Sequence, residues 1–395
     1  VVAGWIISNE NFWEEHLKFI NFLKLRASWA EMGNDQITAF QYLTSYQFGT
    51  GMALGSNRSY YSSLYQSNVP NPNITWEVAN VYNAGFESIF LDNRFQFNTD
   101  FFYQRRKDIL VKRDASVPNY IGLSLPDDNY GIVDNKGFEV VLGYSDKVGD
   151  LFYSLKGTYS YTINSVVEFD EPVKINDWQT LTGHPIGTQL LYNKIGVFKD
   201  STQLNSYPHL PGTKPGDIIL EDYNNDGKIN SDDMILVDKT ANPRSTYSIN
   251  INLTYKNWSL STLFYGVGDC MKMKNQGNYK MYFPDNRWTK DNPTSDIPRT
   301  VSGHSHGVAV GGASTYSFLD ASYFRLKNLN ITYRLPTNVV NKIYLKEASL
   351  FASGENLFFL SKLKTPVDPE LGQQGNQFSN YPLNRVLSLG VRVAF

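Results

Sequence analysis

The feature that most constrains the fold of this sequence is an alternation of apolar and polar residues with a period of two. From Tyr247 to Lys256, tyrosine, isoleucine and leucine occupy every second position, and serine, asparagine, threonine and lysine lie between them. The last residues, Leu387 to Phe395, repeat the pattern. Successive side chains of a strand point to opposite faces of the sheet, so this period predicts strands with one apolar and one polar face.

The same alternation recurs along the chain and predicts about a dozen strands, with a short helix expected only at 11–22. The predicted strands are 23–29, 39–48, 78–90, 94–104, 137–145, 151–163, 190–198, 247–256, 258–267, 323–335, 349–358 and 387–395. Short turns are expected at Asp92-Asn93 and Lys256-Asn257. Long polar connections are expected at 50–69, 111–136, 168–189, 199–244 and 269–315. Connections of that length tend to be functional.

The chemistry of the polar face indicates the architecture. Serine, threonine, asparagine, glutamine and glycine dominate it, whereas soluble sandwiches carry many lysines and glutamates there. Aromatic residues lie towards the ends of the apolar faces. Lipid outside, a polar lumen inside, aromatic girdles, and short turns opposite long loops are typical of an outer-membrane barrel. We therefore expect an all-β, antiparallel transmembrane β-barrel with long extracellular loops; a soluble protein of several sheets is the alternative.

Composition excludes several other classes. The chain of 395 residues is 41% hydrophobic and 14% aromatic, too apolar for a disordered protein. It has no long apolar run of the kind that forms a membrane-spanning helix. With 36 basic and 38 acidic residues it shows no basic excess, which argues against a nucleic-acid partner. The single cysteine, Cys270, excludes an internal disulfide framework.

The strand pattern nowhere stops and restarts, so residues 1–395 are expected to form one barrel domain. The chain opens without methionine and without a basic segment followed by an apolar one. We therefore expect either that a leader has been removed or that the sequence is a fragment.

The sharpest local motif is a calcium-loop spacing between Asp222 and Asp233. Oxygen-bearing side chains stand at positions 1, 3, 5, 9 and 12 of the loop, with Gly227 at position 6. Aspartate replaces glutamate at position 12 and no amphipathic helices flank the loop, so an EF-hand sensor is not expected. We predict a structural Ca²⁺, or Mg²⁺ in its place, that stiffens one long loop; the alternative is a turn that binds nothing. The predicted ligand set is Asp222, Asn224, Asp226, Lys228, Asn230 and Asp233.

Catalytic motifs are lacking, and we expect no enzyme. No nucleophile elbow, phosphate-binding loop or dinucleotide fingerprint occurs. His304 and His306 stand in a glycine-rich stretch that is more simply a loop than a metal site. Cys270 has no neighbouring histidine and is expected to be a bystander thiol.

Aromatic residues in the polar loops are the best candidates for substrate contact. Aromatic faces stack on sugar rings and on peptide side chains alike, and packing of one loop on another is the alternative role. The candidates are Tyr60, Tyr61, Tyr65, Trp178 and Trp288, with Tyr120, Tyr130, Tyr282 and Phe283 in the same kind of setting.

Several segments, taken together, resemble the SusC/RagA-type TonB-dependent transporters of Bacteroidetes. They follow the order of that family from the first fifty residues to the last. The terminal Phe395 is similar to the aromatic end residue by which the assembly machinery recognises outer-membrane barrels. The segments are Leu23–Trp29 with Gly33-Asn34, Asn71–Glu77, Gly216-Asp217 before the Asp222 loop, Asn242–Arg244, Tyr323–Tyr333, Gly354–Phe358 and Asp368–Glu370.

The resemblance implies a 22-stranded barrel with a plugged lumen in the outer membrane. It implies energised import of an oligosaccharide or peptide, without covalent chemistry, in partnership with a SusD-like surface lipoprotein and with TonB. The sequence shows no plug, TonB box or N-terminal extension, so we expect the C-terminal half of such a barrel, embedded in outer-membrane lipids. Two alternatives are a barrel or adhesin that transports nothing, and a soluble secreted glycan-binding β protein.

Overall fold

A computed structural model describes residues 1–17, 19–113, 125–273, 287–299, 313–363, 368–370 and 383–395. Three short helices are present in these ranges: α1 (Asn11–His16), α2 (Ser201–Ser206) and α3 (Thr337–Val340). The strands are β1 (Val2–Ile6), β2 (Ile20–Asn34), β3 (Tyr46–Leu54), β4 (Ser59–Gln66), β5 (Glu77–Phe90), β6 (Phe95–Lys112), β7 (Asp127–Val148), β8 (Leu151–Glu168), β9 (Gln189–Tyr192), β10 (Lys194–Val197), β11 (Ile218–Leu220), β12 (Met234–Val237), β13 (Ser245–Tyr255), β14 (Trp258–Gly268), β15 (Met271–Met273), β16 (Phe318–Asp320), β17 (Tyr323–Arg334), β18 (Glu347–Ser361) and β19 (Val386–Ala394).

The main element is one sheet of 11 strands in the order β1-β2-β5-β6-β7-β8-β13-β14-β17-β18-β19. Neighbours in this sheet follow one another along the chain and all pair antiparallel, so the sheet is a meander. The expected short turns are confirmed. Tyr255 pairs with Trp258 and Phe90 with Phe95. Lys256 in the first turn, and Leu91, Asp92 and Asn93 in the second, adopt the left-handed backbone that such turns need.

The two ends of the sheet differ. Short connections join β5 to β6, β7 to β8 and β13 to β14, and we call this the turn end. The long connections after β2, β6, β8, β14 and β18 all leave from the opposite end, which we call the loop end.

The register gathers the apolar side chains on one face. Ile249 stands opposite Phe264 and Leu253 opposite Leu260, so the alternation of one strand continues in the next. On β19, Leu387 and Leu389 are 74% and 87% exposed. An apolar face this extensive is unfavourable in water and matches the lipid-facing surface of a membrane barrel.

The well-buried clusters lie in and beside the long connections, not behind the sheet. Two of them fill the connections at the loop end. The third lies where β14 and β17 reach the loop end of the sheet. Their buried members are Tyr192, Val197, Ile218, Leu220 and Ile229; Phe198, Leu204 and Ile219; and Val267, Cys270, Ala321, Tyr323 and Leu363.

No helix in the described part of the chain is long and apolar enough to cross a membrane.

Two predictions for the chain before β5 were wrong. The predicted strand 39–48 is largely absent, because Phe40 adopts a left-handed backbone and the Leu43 N–H donates to the Phe40 carbonyl in a turn. The predicted connection 50–69 is instead largely the hairpin of β3 and β4, whose register shifts between Gly49 and Met52.

Two further corrections concern length and placement. Helix α1 ends at His16, and β2 already begins at Ile20, so the predicted helix 11–22 was too long. The predicted strand 190–198 is split into β9 and β10, which pair with β12 and β11 inside the connection between β8 and β13. These strands lie outside the main sheet.

Candidate functional site

Two long connections at the loop end fold together into one body, which we call the loop unit (189–237, 287–299 and 313–317). The Tyr192 N–H donates to the Ala313 carbonyl at 2.9 Å, and the Lys194 N–H donates to Thr315 Oγ1 at 2.9 Å. Trp288 and Ala313 pack on the buried cluster around Ile218. The loop unit therefore has its own apolar core, which holds the two connections together.

A buried ion pair closes the loop unit. The Asp217 carboxylate is fully buried and accepts from Arg299 Nε at 2.7 Å and from the Lys214 N–H at 2.8 Å. The Arg299 N–H donates to the Gly216 carbonyl at 2.8 Å. Since a buried carboxylate is costly without partners, this pair holds the two connections in one arrangement.

Trp288, predicted as a substrate contact, packs inside the loop unit. A Cβ on Gly216 would lie 2.4 Å from the Trp288 ring, so glycine permits this close approach. The indole Nε1 donates to the Lys199 carbonyl at 3.2 Å. These contacts match the alternative role of loop-on-loop packing.

The first half of the Asp222 loop is a tight coil of side-chain oxygens and backbone N–H groups. The Asp222 carboxylate accepts from the N–H groups of Asp226 at 3.1 Å and Gly227 at 2.9 Å. Asn224 Oδ1 accepts from the Asp226 N–H at 3.0 Å, and Asp226 Oδ1 accepts from the Lys228 N–H at 2.8 Å. The side-chain oxygens of this segment are thus turned to the inside of the coil.

The second half of the loop is tied by Asp233, which is fully buried. Its oxygens accept from the Tyr223 N–H at 2.9 Å and the Asn230 N–H at 2.8 Å. Asn230 Oδ1 in turn accepts from the Asp232 N–H at 2.6 Å. Within the described ranges, no three Asp, Glu, His or Cys side chains are grouped so as to hold a metal ion. The oxygen chemistry fits calcium, but Asp233 is occupied in joining the ends of the loop.

Trp178, also predicted as a substrate contact, covers this loop. Its ring stands edge-on to Tyr223 with centroids 5.3 Å apart, and its Nε1 donates to the Asp232 carbonyl at 3.3 Å. Like Trp288, Trp178 therefore packs against other loop residues, which matches the alternative role of loop-on-loop packing.

The three predicted tyrosines on β4 are placed differently. Tyr60, Tyr61 and Tyr65 are 72%, 58% and 49% exposed. A Cβ on Gly51 would lie 2.7 Å from the Tyr60 ring, and one on Gly49 would lie 2.9 Å from the Tyr65 ring. Both rings therefore pack against glycines while about half or more of each residue stays exposed, a setting suited to stacking.

The hairpin that carries these tyrosines is almost uncharged. Arg58 is the only charged residue between Gln36 and Thr75. A cleft of about 700 Å³ lies at its base, lined in part by Phe40, Leu43 and Tyr65. Neutral aromatic and hydroxyl groups thus dominate this part of the loop end.

Sequence reasoning missed a group of charged side chains at the loop end of β17. We call this group the ionic clamp (Arg325, Lys327, Asp368 and Glu370). The Arg325 side chain is 1% exposed, and its Nη2 donates to Asp368 Oδ1 at 2.5 Å. Lys327 Nζ donates to Glu370 Oε2 at 2.7 Å. Residues 368–370 are thereby fixed to the wall. Both segments were noted in the sequence only for their resemblance to a family.

A second group of charged side chains lies at the loop end, where the segments before β13, before β17 and after β18 meet. Asp320 accepts from the Ser322 N–H at 2.9 Å and from Lys362 Nζ at 3.2 Å, and Lys239 Nζ is 3.5 Å away. Burial of Asp320 opposes its ionisation, but these hydrogen bonds and charges outweigh burial and lower the pKa to about 2.

This shift predicts a pH dependence. Because the pKa of Asp320 is lower in the folded protein than in an unfolded chain, its stabilising effect is complete above about pH 4 and is lost as the pH falls towards 2. Pepsin cleavage within 313–322 should accelerate over that window. In an Asp320→Asn variant, cleavage should already be fast at pH 4 and change less. The exposed Asp150→Asn variant is the control and should behave like the wild type; a wild type and an Asp320→Asn variant with the same profile would refute the assignment.

Cys270 is 3% exposed, and burial raises the pKa of its thiol to about 11. That setting fits an unreactive thiol. The predicted candidates His304, His306, Tyr120, Tyr282 and Phe283 lie outside the described residues.

The family model for the TonB dependent receptor-like β-barrel matches residues 13–357. The chain belongs to this family. TonB-dependent receptors of this kind are outer-membrane proteins, so the expected location is confirmed, as is the all-β barrel fold. The sheet of 11 strands is half of the 22 that the resemblance implies.

Curated relatives support the same assignment to the family. TonB-dependent receptor P26 of Formosa agariphila is 26% identical over 100% of this chain and 42% of its own length. TonB-dependent receptor SusC of Bacteroides thetaiotaomicron is 24% identical over 100% of this chain and 40% of its own length. The chain thus spans about two fifths of the length of these relatives.

Solved structures share the fold. The structure of the RagAB peptide transporter matches 100% of this chain and 43% of its own chain, with a TM-score of 0.74 at 19% identity. The resemblance to SusC/RagA-type proteins is thereby confirmed for the fold of the barrel.

Proposed function

We propose that this chain is the barrel wall of an outer-membrane importer for an oligosaccharide or peptide. It works with a SusD-like surface lipoprotein and draws energy through TonB. The observation that carries the proposal is a sheet with one apolar and one polar face in a chain of this family. Such a wall satisfies its backbone hydrogen bonds between strands while separating lipid from a watery passage.

The proposed mechanism is binding and passage, with no covalent step. The ion groups described above support this, because Asp217 and Arg325 each face an opposite charge and serve to hold segments of chain. The long connections at the loop end supply the surfaces for solute and lipoprotein. Outer-membrane lipids surround the apolar face.

Of the two substrate classes, the hairpin of β3 and β4 favours an oligosaccharide. Its tyrosines are about half or more exposed, and sugar rings stack on aromatic faces through their C–H groups. A peptide brings charged termini and often charged side chains, for which this hairpin offers only Arg58 as a counter-charge. RagAB is a peptide transporter, and its likeness to this chain at 19% identity concerns the fold.

Deletion of the gene tests this function. We expect the deletion strain to lose growth on a neutral oligosaccharide as sole carbon source, to keep growth on its monosaccharide, and to keep growth on peptides. A surface lipoprotein should co-purify with the tagged protein from detergent extracts. Unchanged growth on every oligosaccharide and peptide, with no lipoprotein recovered, would favour a barrel or adhesin that transports nothing.

We also propose that the coil from Asp222 to Asp233 holds a structural Ca²⁺, with Mg²⁺ as the alternative ion. Asp222, Asn224 and Asp226 supply the hard oxygen donors, and the Lys228 carbonyl stands at the position that supplies a main-chain oxygen in such loops. The bound ion would fix the coil against the rest of the loop unit.

The calcium proposal predicts a clear loss on substitution. In an Asp222→Ala/Asp226→Ala variant, bound calcium should fall from one ion per chain to none. Proteolysis within 222–233 should rise about tenfold or more in the presence of calcium, because the stabilisation by bound ligand is lost. Metal analysis and timed proteolysis measure the two effects. Asp150→Ala is the control for loss of an exposed carboxylate; equal calcium contents in all three proteins would exclude the site.

A further inference from the structure

The apolar face of β5 to β8 ends in a belt of aromatic rings where these strands approach the loop end. The ring centroids of Tyr82 and Tyr103 are 6.2 Å apart, those of Phe101 and Phe138 are 6.3 Å apart, and those of Phe138 and Tyr161 are 6.0 Å apart. In a membrane barrel, belts of this kind lie at the boundary between the hydrocarbon core and the lipid headgroups.

Three cations lie beside and beyond this belt, and we call them the basic patch (Arg105, Lys107 and Lys136). On β6, Arg105 and Lys107 follow Tyr103 at alternate positions and therefore share its face of the sheet. On β7, Lys136 stands opposite Tyr103 in the register. All three cations are exposed. The basic patch thus faces away from the lumen, at the level where lipid headgroups begin.

One carboxylate, Asp134, lies within the patch and orients one of its cations. The Asp134 oxygens accept from Nε and Nη2 of Arg105, both at 2.8 Å, and from the Tyr103 hydroxyl at 2.9 Å. A guanidinium has five N–H donors, so three of those on Arg105 remain for another acceptor. Three cations against one carboxylate leave the patch with a positive excess.

The neighbouring positions of the same row keep this excess. On one side Asn80 follows Arg105, and the carboxylate of Glu31 comes only on the next strand. On the other side Ser165 stands opposite Asp134. Along β6, the pairing with β7 is interrupted at Asp108, so the regular face ends at Lys107.

The opposite ends of these strands have the reverse balance of charge. The two turns that join β5 to β6 and β7 to β8 carry two cations against three carboxylates: Arg94 and Lys147, and Asp92, Asp146 and Asp150. The positive excess therefore belongs to the loop end, which long loops place on the outer side of the membrane. The outer leaflet of such a membrane contains phosphorylated glycolipids, so the charge of the patch is complementary to its surroundings.

We propose that the basic patch binds the phosphate groups of an anionic glycolipid in the outer leaflet. Arg105, held by Asp134, presents N–H groups to phosphate oxygens, and the two lysines add charge around it. Lysine stems lie along apolar surface while their ammonium groups reach the headgroup layer. The acyl chains lie against the apolar face below the patch. The proposal goes beyond solute transport, because a barrel that transports nothing would bind this lipid equally.

Binding of lipid A, a phosphorylated glycolipid, to the purified protein in a neutral detergent tests the proposal. The protein is expressed from its own gene, and native mass spectrometry measures the lipid-bound fraction as lipid A is added. The tested variant is Lys107→Gln/Lys136→Gln, which leaves Arg105 in place. Lys147→Gln/Lys256→Gln is the matched control, because it removes two exposed lysines at the turn end.

Each cation near an anionic lipid surface strengthens binding about fivefold, so the tested variant should bind lipid A roughly 25-fold more weakly than the wild type. The matched control should bind as the wild type does. Lys107→Arg/Lys136→Arg should also bind as the wild type, since it keeps both charges. Lipid A from which the phosphates have been removed should bind all four proteins equally weakly.

Equal affinity of the tested variant and the matched control for lipid A would overturn the proposal. Equal binding of intact and dephosphorylated lipid A by the wild type would also overturn it. Displacement of lipid A by millimolar inorganic phosphate would indicate a site for the free anion and would contradict the assignment to a lipid.

Discussion

Replacement of Arg325 by leucine is expected to destabilise the attachment of residues 368–370 to the wall by about 3–5 kcal/mol. The substitution leaves Asp368, which is 6% exposed, and part of Glu370 buried without their cation. Removing one member of a buried ion pair costs much more than the pair itself contributes, because the remaining charge stays desolvated. Hydrogen exchange of β17 and of residues 368–370 in detergent measures the effect.

The matched control is Lys362→Leu. Its ammonium also pairs with a carboxylate, Asp320 at 3.2 Å, but the side chain is 70% exposed. An exposed pair contributes about 0–1 kcal/mol, so little change is expected. Arg325→Lys should fall between the two, because it keeps the charge and loses the second hydrogen-bonding arm. If Arg325→Leu and Lys362→Leu had equal effects, the ionic clamp would contribute no more than a surface pair.

The second large effect is expected from arginine on the apolar face. Ile251 stands between Leu155 and Thr262 in the middle of β13, so Ile251→Arg would place a cation in the hydrocarbon region. The expected cost is about 2–4 kcal/mol near the bilayer midplane. Asn252→Arg, one residue further, places the same cation on the polar face and should cost about 1 kcal/mol or less. Urea unfolding of the protein in lipid vesicles measures both.

A second pair, on β19, separates a membrane wall from a soluble sheet. Leu389 is 87% exposed, so in a soluble protein Leu389→Arg would be harmless. In a lipid-facing wall it is strongly unfavourable, whereas Ser388→Arg is tolerated. Equal tolerance of the two variants in assembled outer membranes would contradict the lipid-facing assignment.

Most strands of the main sheet could be predicted from sequence because the alternation that specifies each strand lies within that strand. In β13 and β14 the period of two alone gives the strands, their faces and, through the short turn at Lys256, their register. The hairpin of β3 and β4 was missed because glycines and a shifted register at Gly49 interrupt the alternation.

The inside of the long connections could not be predicted in the same way. Strand β9 was predicted only as part of one strand at 190–198, because its pairing with β12 across a long stretch of chain leaves no local signal of where the strand is divided. The same limit applies to the ion groups. Asp217 and Arg299 are 82 residues apart, and Arg325 and Asp368 are 43 apart. By contrast, the hydrogen bonds of the Asp222 coil join residues within one short motif, which is why the sequence alone singles this segment out.

The central claim is that one face of the sheet contacts lipid and the other contacts water, and spin labels along β13 test it most directly. Single cysteines at 247–255 are labelled in the protein in lipid bilayers, and collisions with oxygen and with a water-soluble nickel chelate are measured. We predict a period of two, with oxygen favoured at Ile249, Ile251 and Leu253, and the chelate favoured at Ser248, Asn250 and Asn252. Equal access of the chelate to both sets would contradict the account.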